Sequence, residues 1–144
     1  FSYMIHSMAG DGSYTRVGKC LAATIMIEDI NRHYNNSATL FDGHRAFEHI
    51  ASGYGYRRFH EYCRAVASLI INIQGVLDIP VFALGGGIIG DERVLATIQD
   101  EFRQIIDADV MYRTLNVPTI VACHYKNYAG SIGAQLLWQE SKEV

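Results

Sequence analysis

The chain has 144 residues, of which 49% are hydrophobic and 19% charged, with a net charge of −3 and a pI near 6.0. That composition suits one globular domain with a real core and argues against disorder. The negative balance leaves no basic field for nucleic acid, so no nucleic-acid contact is expected through this chain. The three cysteines, Cys20, Cys63 and Cys123, are widely spaced and odd in number, which fits a reducing compartment, and a cytoplasmic location is expected. No apolar run approaches the ~18 residues of a membrane span, so no membrane partner is expected.

Taken in order, Phe1-Ser2-Tyr3-Met4-Ile5-His6 has a strand-like pattern, and a chain that starts inside it reads as a piece of a longer protein. Gly10, Asp11 and Gly12 mark a turn-rich loop over residues 7–13. Leu21, Thr24, Ile25, Ile27 and Ile30 share one face of a helix predicted over residues 17–34, which Asn35, Asn36 and Ser37 end. Gly18-Lys19-Cys20 glances at a phosphate-binding loop, but its spacing from Gly12 is one residue too long, and Cys20 replaces the metal-binding hydroxyl. Asp42 is placed to cap a short helix closed by Gly53, on which His44 and Glu48 sit one turn apart. That pair suits a metal ion, a ligand hydroxyl or an ordinary surface contact.

The strongest helix is predicted over residues 56–75, burying Phe59, Tyr62, Cys63, Val66, Leu69, Ile70 and Ile73. Arg57, Arg58, Glu61 and Arg64 read as its solvated face, and Ala65, Ala67 and Ser68 allow a second helix to approach, within the chain or in a dimer. Asp78 to Gly90 then reads as strand, glycine loop and helix start. Val94, Leu95, Ile98, Phe102, Ile105 and Ile106 mark the inward face of the following helix, while Asp91 and Glu92 complement its dipole. A second buried strand over residues 118–123 leads through His124 to Asn127 into a last helix near Ala129. Strands alternating with helices predict a mainly parallel sheet covered by helices, with ligands beyond the strand carboxyl ends, at Gly85–Gly87 and His124–Asn127.

Three adjacent glycines put no Cβ between backbone and ligand, and a following helix N-terminus favours an anion. Gly85, Gly87 and Gly90 also satisfy the dinucleotide fingerprint by spacing. The context opposes it, because Asp107 and Asp109 precede any further strand and lie on the wrong side to reach a ribose. Glycines that only let a helix pack close to the sheet remain the plainer alternative.

The order of capped helix, long helix, strand into Leu84-Gly85-Gly86-Gly87-Ile88, helix, and Asn127-x-Ala129-Gly130-x-Ile132-Gly133-Ala134 resembles the carboxy-terminal half of ROK-family proteins. These are sugar kinases and related repressors of the hexokinase and actin ATPase superfamily. The resemblance implies a ribonuclease H-like, actin-like ATPase lobe, with residues 1–144 forming the carboxy-terminal lobe of a longer two-lobe sugar kinase. It places Gly85, Gly86 and Gly87 beside the adenosine of ATP and makes ATP with magnesium the cofactors of the parent protein. Phe1 to Met4 lies on the family's Glu-x-Gly-His-Met segment, so the Glu falls before Phe1 and the sugar-contacting His falls on Tyr3, whose phenol still donates and accepts a hydrogen bond. The family's cysteine-rich zinc loop is missing, so zinc is not expected. The phosphate-binding segment and catalytic aspartate of the amino-terminal half are missing as well, so no residue here inherits the catalytic role. The implied parent is an ATP-dependent kinase of a sugar or sugar glycoside, with a homodimer expected. The alternative is the sugar-sensing lobe of a ROK-type transcriptional repressor.

Overall fold

Asp11 turns the chain back on itself: its Oδ1 accepts from Ser13 N at 2.9 Å and Ser13 Oγ at 2.7 Å, and Gly12 adopts φ +83°. Strands β1 (Ile5–Met8) and β2 (Tyr14–Arg16) therefore pair antiparallel as a hairpin. The structure, a computed structural model, describes residues 4–125 and 128–140. The helix predicted over 17–34 is two helices, α1 (Val17–Cys20) and α2 (Ala23–His33). Ala22 takes an extended backbone (φ −76°, ψ 104°) between them and re-aims the second. In consequence α2 buries Met26 with Ile30, a face rotated from the expected one.

Asn31 is fully buried, and its Nδ2 donates to the carbonyls of Thr39 (3.1 Å), Leu40 (3.1 Å) and Asp42 (2.9 Å). One amide thus fixes the return from α2 to α3 (Gly43–Phe47). Asp42 caps α3 as expected, its Oδ1 accepting from His44 N at 2.9 Å and Arg45 N at 3.3 Å.

Helix α4 (Gly53–Leu77) is the longest element and buries Phe59, Tyr62, Cys63, Ala67, Ile70 and Ile71, so that in its second half Ala67, Ile71 and Gln74 take the inward place expected of Leu69 and Ile73, which are only half-buried. Its first turn passes so close to the preceding loop that a Cβ on Gly55 would lie 2.2 Å from the His49 carbonyl oxygen. Its last turn is closed by Asp78 in the left-handed conformation (φ 48°, ψ 53°). Gln74 Nε2 donates to Asp78 Oδ1 and to the Asn116 carbonyl, both at 2.9 Å, and so ties this end to the approach of β4 (Thr119–Ala122).

Strand β3 (Val81–Leu84) pairs with β4 in parallel, in register from Val81↔Thr119 to Leu84↔Ala122. Alternation turns Phe82, Leu84, Ile120 and Ala122 toward the core. The other face carries Val81, 50% exposed, and Val121, 36% exposed, so the helices cover one side of this parallel pair. Helix α5 (Glu92–Ala108) lies along α4 and buries Val94, Ile98, Phe102 and Ile106. Ala67, one of the small residues expected to let a helix approach, is fully buried in the same apolar cluster as these α5 residues. Helix α6 (Ala129–Glu140) ends the described residues.

Two arginines read as solvated are interhelical ties. Arg58, 17% exposed in its side chain, holds Asp29 of α2 at 2.9 Å. Arg64 Nη1 lies 3.2 Å from Oε2 of Glu101, a carboxylate buried between α4 and α5, and His60 Nδ1 lies 2.8 Å from its Oε1. Among the described residues no helix is long and apolar enough to cross a membrane.

Two stability experiments follow from this packing. Gly55→Ala forces a methyl against a backbone oxygen and is expected to cost about 2 kcal/mol or more. Gly75→Ala, also in α4 but with nothing within 4 Å of the added Cβ, should stabilise by about 0.5–1 kcal/mol. Urea denaturation of both variants compares them, and equal effects would refute the close approach. In the second experiment, Arg64→Ala alone costs roughly 1 kcal/mol or less, because the guanidinium is largely in water. His60→Ala with Arg64→Ala strands a buried carboxylate and costs about 3 kcal/mol. A double-variant loss equal to the sum of the single losses would show that the two groups do not share Glu101.

Candidate functional site

β3 runs directly into Gly85 and Gly86, and Gly86 holds φ 105° and ψ 166°. That region is essentially closed to side-chain-bearing residues. A Cβ built on Gly86 meets nothing within 4 Å, so backbone conformation rather than crowding requires glycine there, and the residue faces open space. A 3-10 turn, Gly87–Gly90, carries the chain to Asp91, which caps α5 by accepting from Arg93 N at 3.0 Å.

The open space is a cavity of about 950 Å³. Gly85, Gly86 and Gly87 form one wall; Thr24 and Ile27 of α2 and the α3 segment face them. Ile27, Phe47, Tyr62 and Ile88 supply an apolar lining, and His44, Glu48, Asp91 and Arg93 add polar groups. Such a mixture suits a ligand with an apolar ring system and a few fixed polar groups.

Arg93 braces the site. Its Nε and Nη2 hold Asp91 Oδ1 and Oδ2 at 3.0 and 2.7 Å, and its Nη1 donates to the Phe47 carbonyl at 3.4 Å. The guanidinium carbon also stands 5.3 Å from the Phe47 ring centroid. These contacts join the start of α5 to the end of α3 across the cavity wall. The side-chain hydrogen bond from Arg93 holds the Asp91 carboxyl below the usual carboxylate range against partial burial.

A smaller cavity of about 490 Å³ shares Gly86 and Gly87 with the first and adds Gly90, His124, Tyr125, Tyr128 and Ile132. The glycine loop is therefore a ridge between two concavities at the carboxyl ends of β3 and β4.

The expected adenosine-side glycines thus lie in the wall of the larger cavity, at the strand end where the alternating pattern put them. His44 and Glu48 join that wall from α3, which no spacing argument linked to the glycines. Tyr3 and Asn127 lie outside the described residues. Gly18 and Lys19 lie inside α1, so that segment is a helix and forms no phosphate loop. The sequence reading missed Thr24, Phe47 and Arg93, and gave Asp91 a helix-start role only. Phe47 carried the one usable signal, an aromatic residue beside Glu48 on a capped helix. Among the described residues no group of three or more His, Cys, Asp or Glu side chains is placed to hold a metal ion.

No curated protein matches the sequence. Among solved structures, the chain is similar to a ROK family protein from Streptococcus pneumoniae TIGR4 in complex with sucrose. The two share 26% identity with a TM-score of 0.80, over 100% of this chain and 49% of that one. It is also similar in fold to the ROK hexokinase from Thermus thermophilus, at 19% identity and a TM-score of 0.65, over 96% of this chain and 45% of that one. The chain thus spans about half the length of these proteins. A model of the ROK family matches residues 12–141, and with most of the sequence covered the chain belongs to the ROK family.

Proposed function

We propose that this chain is the nucleotide-binding and sugar-binding lobe of an ATP-dependent sugar kinase acting in the cytoplasm. The observation that carries the proposal is Gly86: a glycine-only backbone conformation that faces open space in the wall of a mixed apolar and polar cavity. A loop without side chains lets a base and ribose lie against the backbone, and the Arg93 brace keeps the opposite wall at a fixed distance. When bound, ATP would supply the transferable phosphoryl group and magnesium would offset its charge.

The Gly85–Gly87 backbone would hold the nucleotide against the wall of the larger cavity. The sugar end belongs to the amino-terminal segment with Tyr3. The sucrose bound by the pneumococcal relative supports a sugar or glycoside as the second ligand. Phosphoryl transfer depends on positioning within a closed cleft. A lobe without the aspartate that takes the hydroxyl proton should bind nucleotide and turn over no sugar. The homodimer is carried by family likeness alone.

Calorimetric titration of the 144-residue chain with ATP tests the proposal. Saturable binding is expected, with Gly86→Ala weakening it about tenfold or more through the ~1–3 kcal/mol of strain that a side chain meets at that φ. Gly75→Ala, outside both cavities, where nothing lies within 4 Å and φ is not positive, should bind as the parent does. Absent ATP binding would overturn the nucleotide assignment. Measurable ATP-dependent phosphorylation of glucose by this chain alone would overturn the assignment of catalysis to the other lobe.

A further inference from the structure

We infer that Glu48 and His44 read the amino edge of a purine base in the larger cavity, so that the site selects adenine nucleotides over those with an oxygen at the same ring position. This rests on the nucleotide assignment above and adds the groups that choose the base.

Four polar side chains near the ends of α3 and α5 face this cavity, and two of them are already committed. Asp91 and Arg93 form a bidentate pair, and the third guanidinium nitrogen is held by the Phe47 carbonyl. A base entering past Phe47 therefore meets His44 and Glu48 at this end of the cavity, with the Thr24 hydroxyl on the α2 wall. His44 lies in the first turn of α3 and Glu48 directly follows its last residue, four positions on, and this segment is held from both ends. The Asp42 carboxylate accepts from His44 N at 2.9 Å, and Glu48 N donates to the His44 and Arg45 carbonyls at 3.3 Å each.

The Glu48 carboxylate only accepts. Its Oε2 lies 3.7 Å from Arg45 Nη1, and with the side chain 60% exposed the carboxylate has room to accept an incoming N–H. An imidazole N–H of His44 can donate one hydrogen bond. One acceptor beside one donor complements adenine, which presents its N6 amino group next to a ring-nitrogen acceptor. A 6-oxo purine sets a carbonyl oxygen against the Glu48 carboxylate instead, two acceptors with no proton between them. The apolar residues Ile27, Phe47 and Ile88 fit the body of the ring. Glu48 keeps 60% of its side chain exposed, so replacing it removes no buried packing.

The test is calorimetric titration of the full 144-residue chain and its Glu48→Ala, Glu48→Gln and His44→Ala variants with ATP, ITP and 2′-deoxy-ATP, with thermal melts to verify folding. The parent chain is expected to prefer ATP to ITP by about 10- to 100-fold. Glu48→Gln keeps ATP binding and narrows that preference by about tenfold, because an amide can turn its N–H to the 6-oxygen. Glu48→Ala and His44→Ala lose affinity for ATP more than for ITP. An ATP to ITP ratio that is near one in the parent chain, or unmoved by these substitutions, overturns the inference while leaving nucleotide binding in place. So does a loss in Glu48→Ala that tracks the ribose hydroxyl, changing ATP against 2′-deoxy-ATP but not ATP against ITP. Binding of none of the three nucleotides overturns the underlying nucleotide assignment and the inference with it.

Discussion

Helices α4 and α5 lie side by side through a strip of Phe59, Cys63, Ala67 and Ile70 against Val94, Ile98, Phe102 and Ile106, and the rest of the chain is hung from that contact. The seam is mostly apolar, and burial of this kind is the main favourable term in folding. Within it stands one carboxylate, Glu101, 5% exposed, gripped by His60 and Arg64. A buried charge is tolerated only with such partners, and it tolerates only the helix register that supplies them. The carboxylate adds specificity of alignment to a seam whose stability comes from apolar area.

That alignment decides where the glycine loop goes. β3 leaves α4 through the knot of Gln74, Asp78 and Asn116, and α5 starts beyond Gly90, so both ends of the loop are anchored to the paired helices. Between those anchors the backbone passes through a conformation open to glycine alone. The opposite wall is built from α2 and α3, held in turn by Asn31 on the carbonyls of residues 39, 40 and 42 and by Arg58 on Asp29. The cavity is thus a consequence of two separately anchored walls, braced at the rim by Arg93.

Much of this was legible in advance because its signals are local. The α4 and α5 stripes are period-3.6 patterns over many turns, the Asp42 cap is a residue-type rule, and β3 and β4 are short apolar runs bounded by proline and glycine. The two linked family motifs found their match in the ROK family. What misled was equally local. Residues 17–34 carry a continuous apolar period, yet the extended Ala22 divides them, and the buried face includes Met26 rather than Ile25. Arg58 and Arg64 look like solvated charges because the acids that claim them, Asp29 and Glu101, stand on other helices.

The sequence by itself determined the alternation of helices and strands, the inward face of α5 and of the first half of α4, and a glycine loop at a strand's carboxyl end. Those properties follow from backbone preference and periodicity, which act between near neighbours along the chain. Only the tertiary structure decided what faces that loop. His44, Phe47 and Glu48 are separated from Gly85–Gly87 by the whole length of α4, and Arg93 reaches Phe47 only after α5 has packed. A cavity wall is set by how helices cross, and crossing is fixed by side-chain packing summed over the core rather than by any short run of residues.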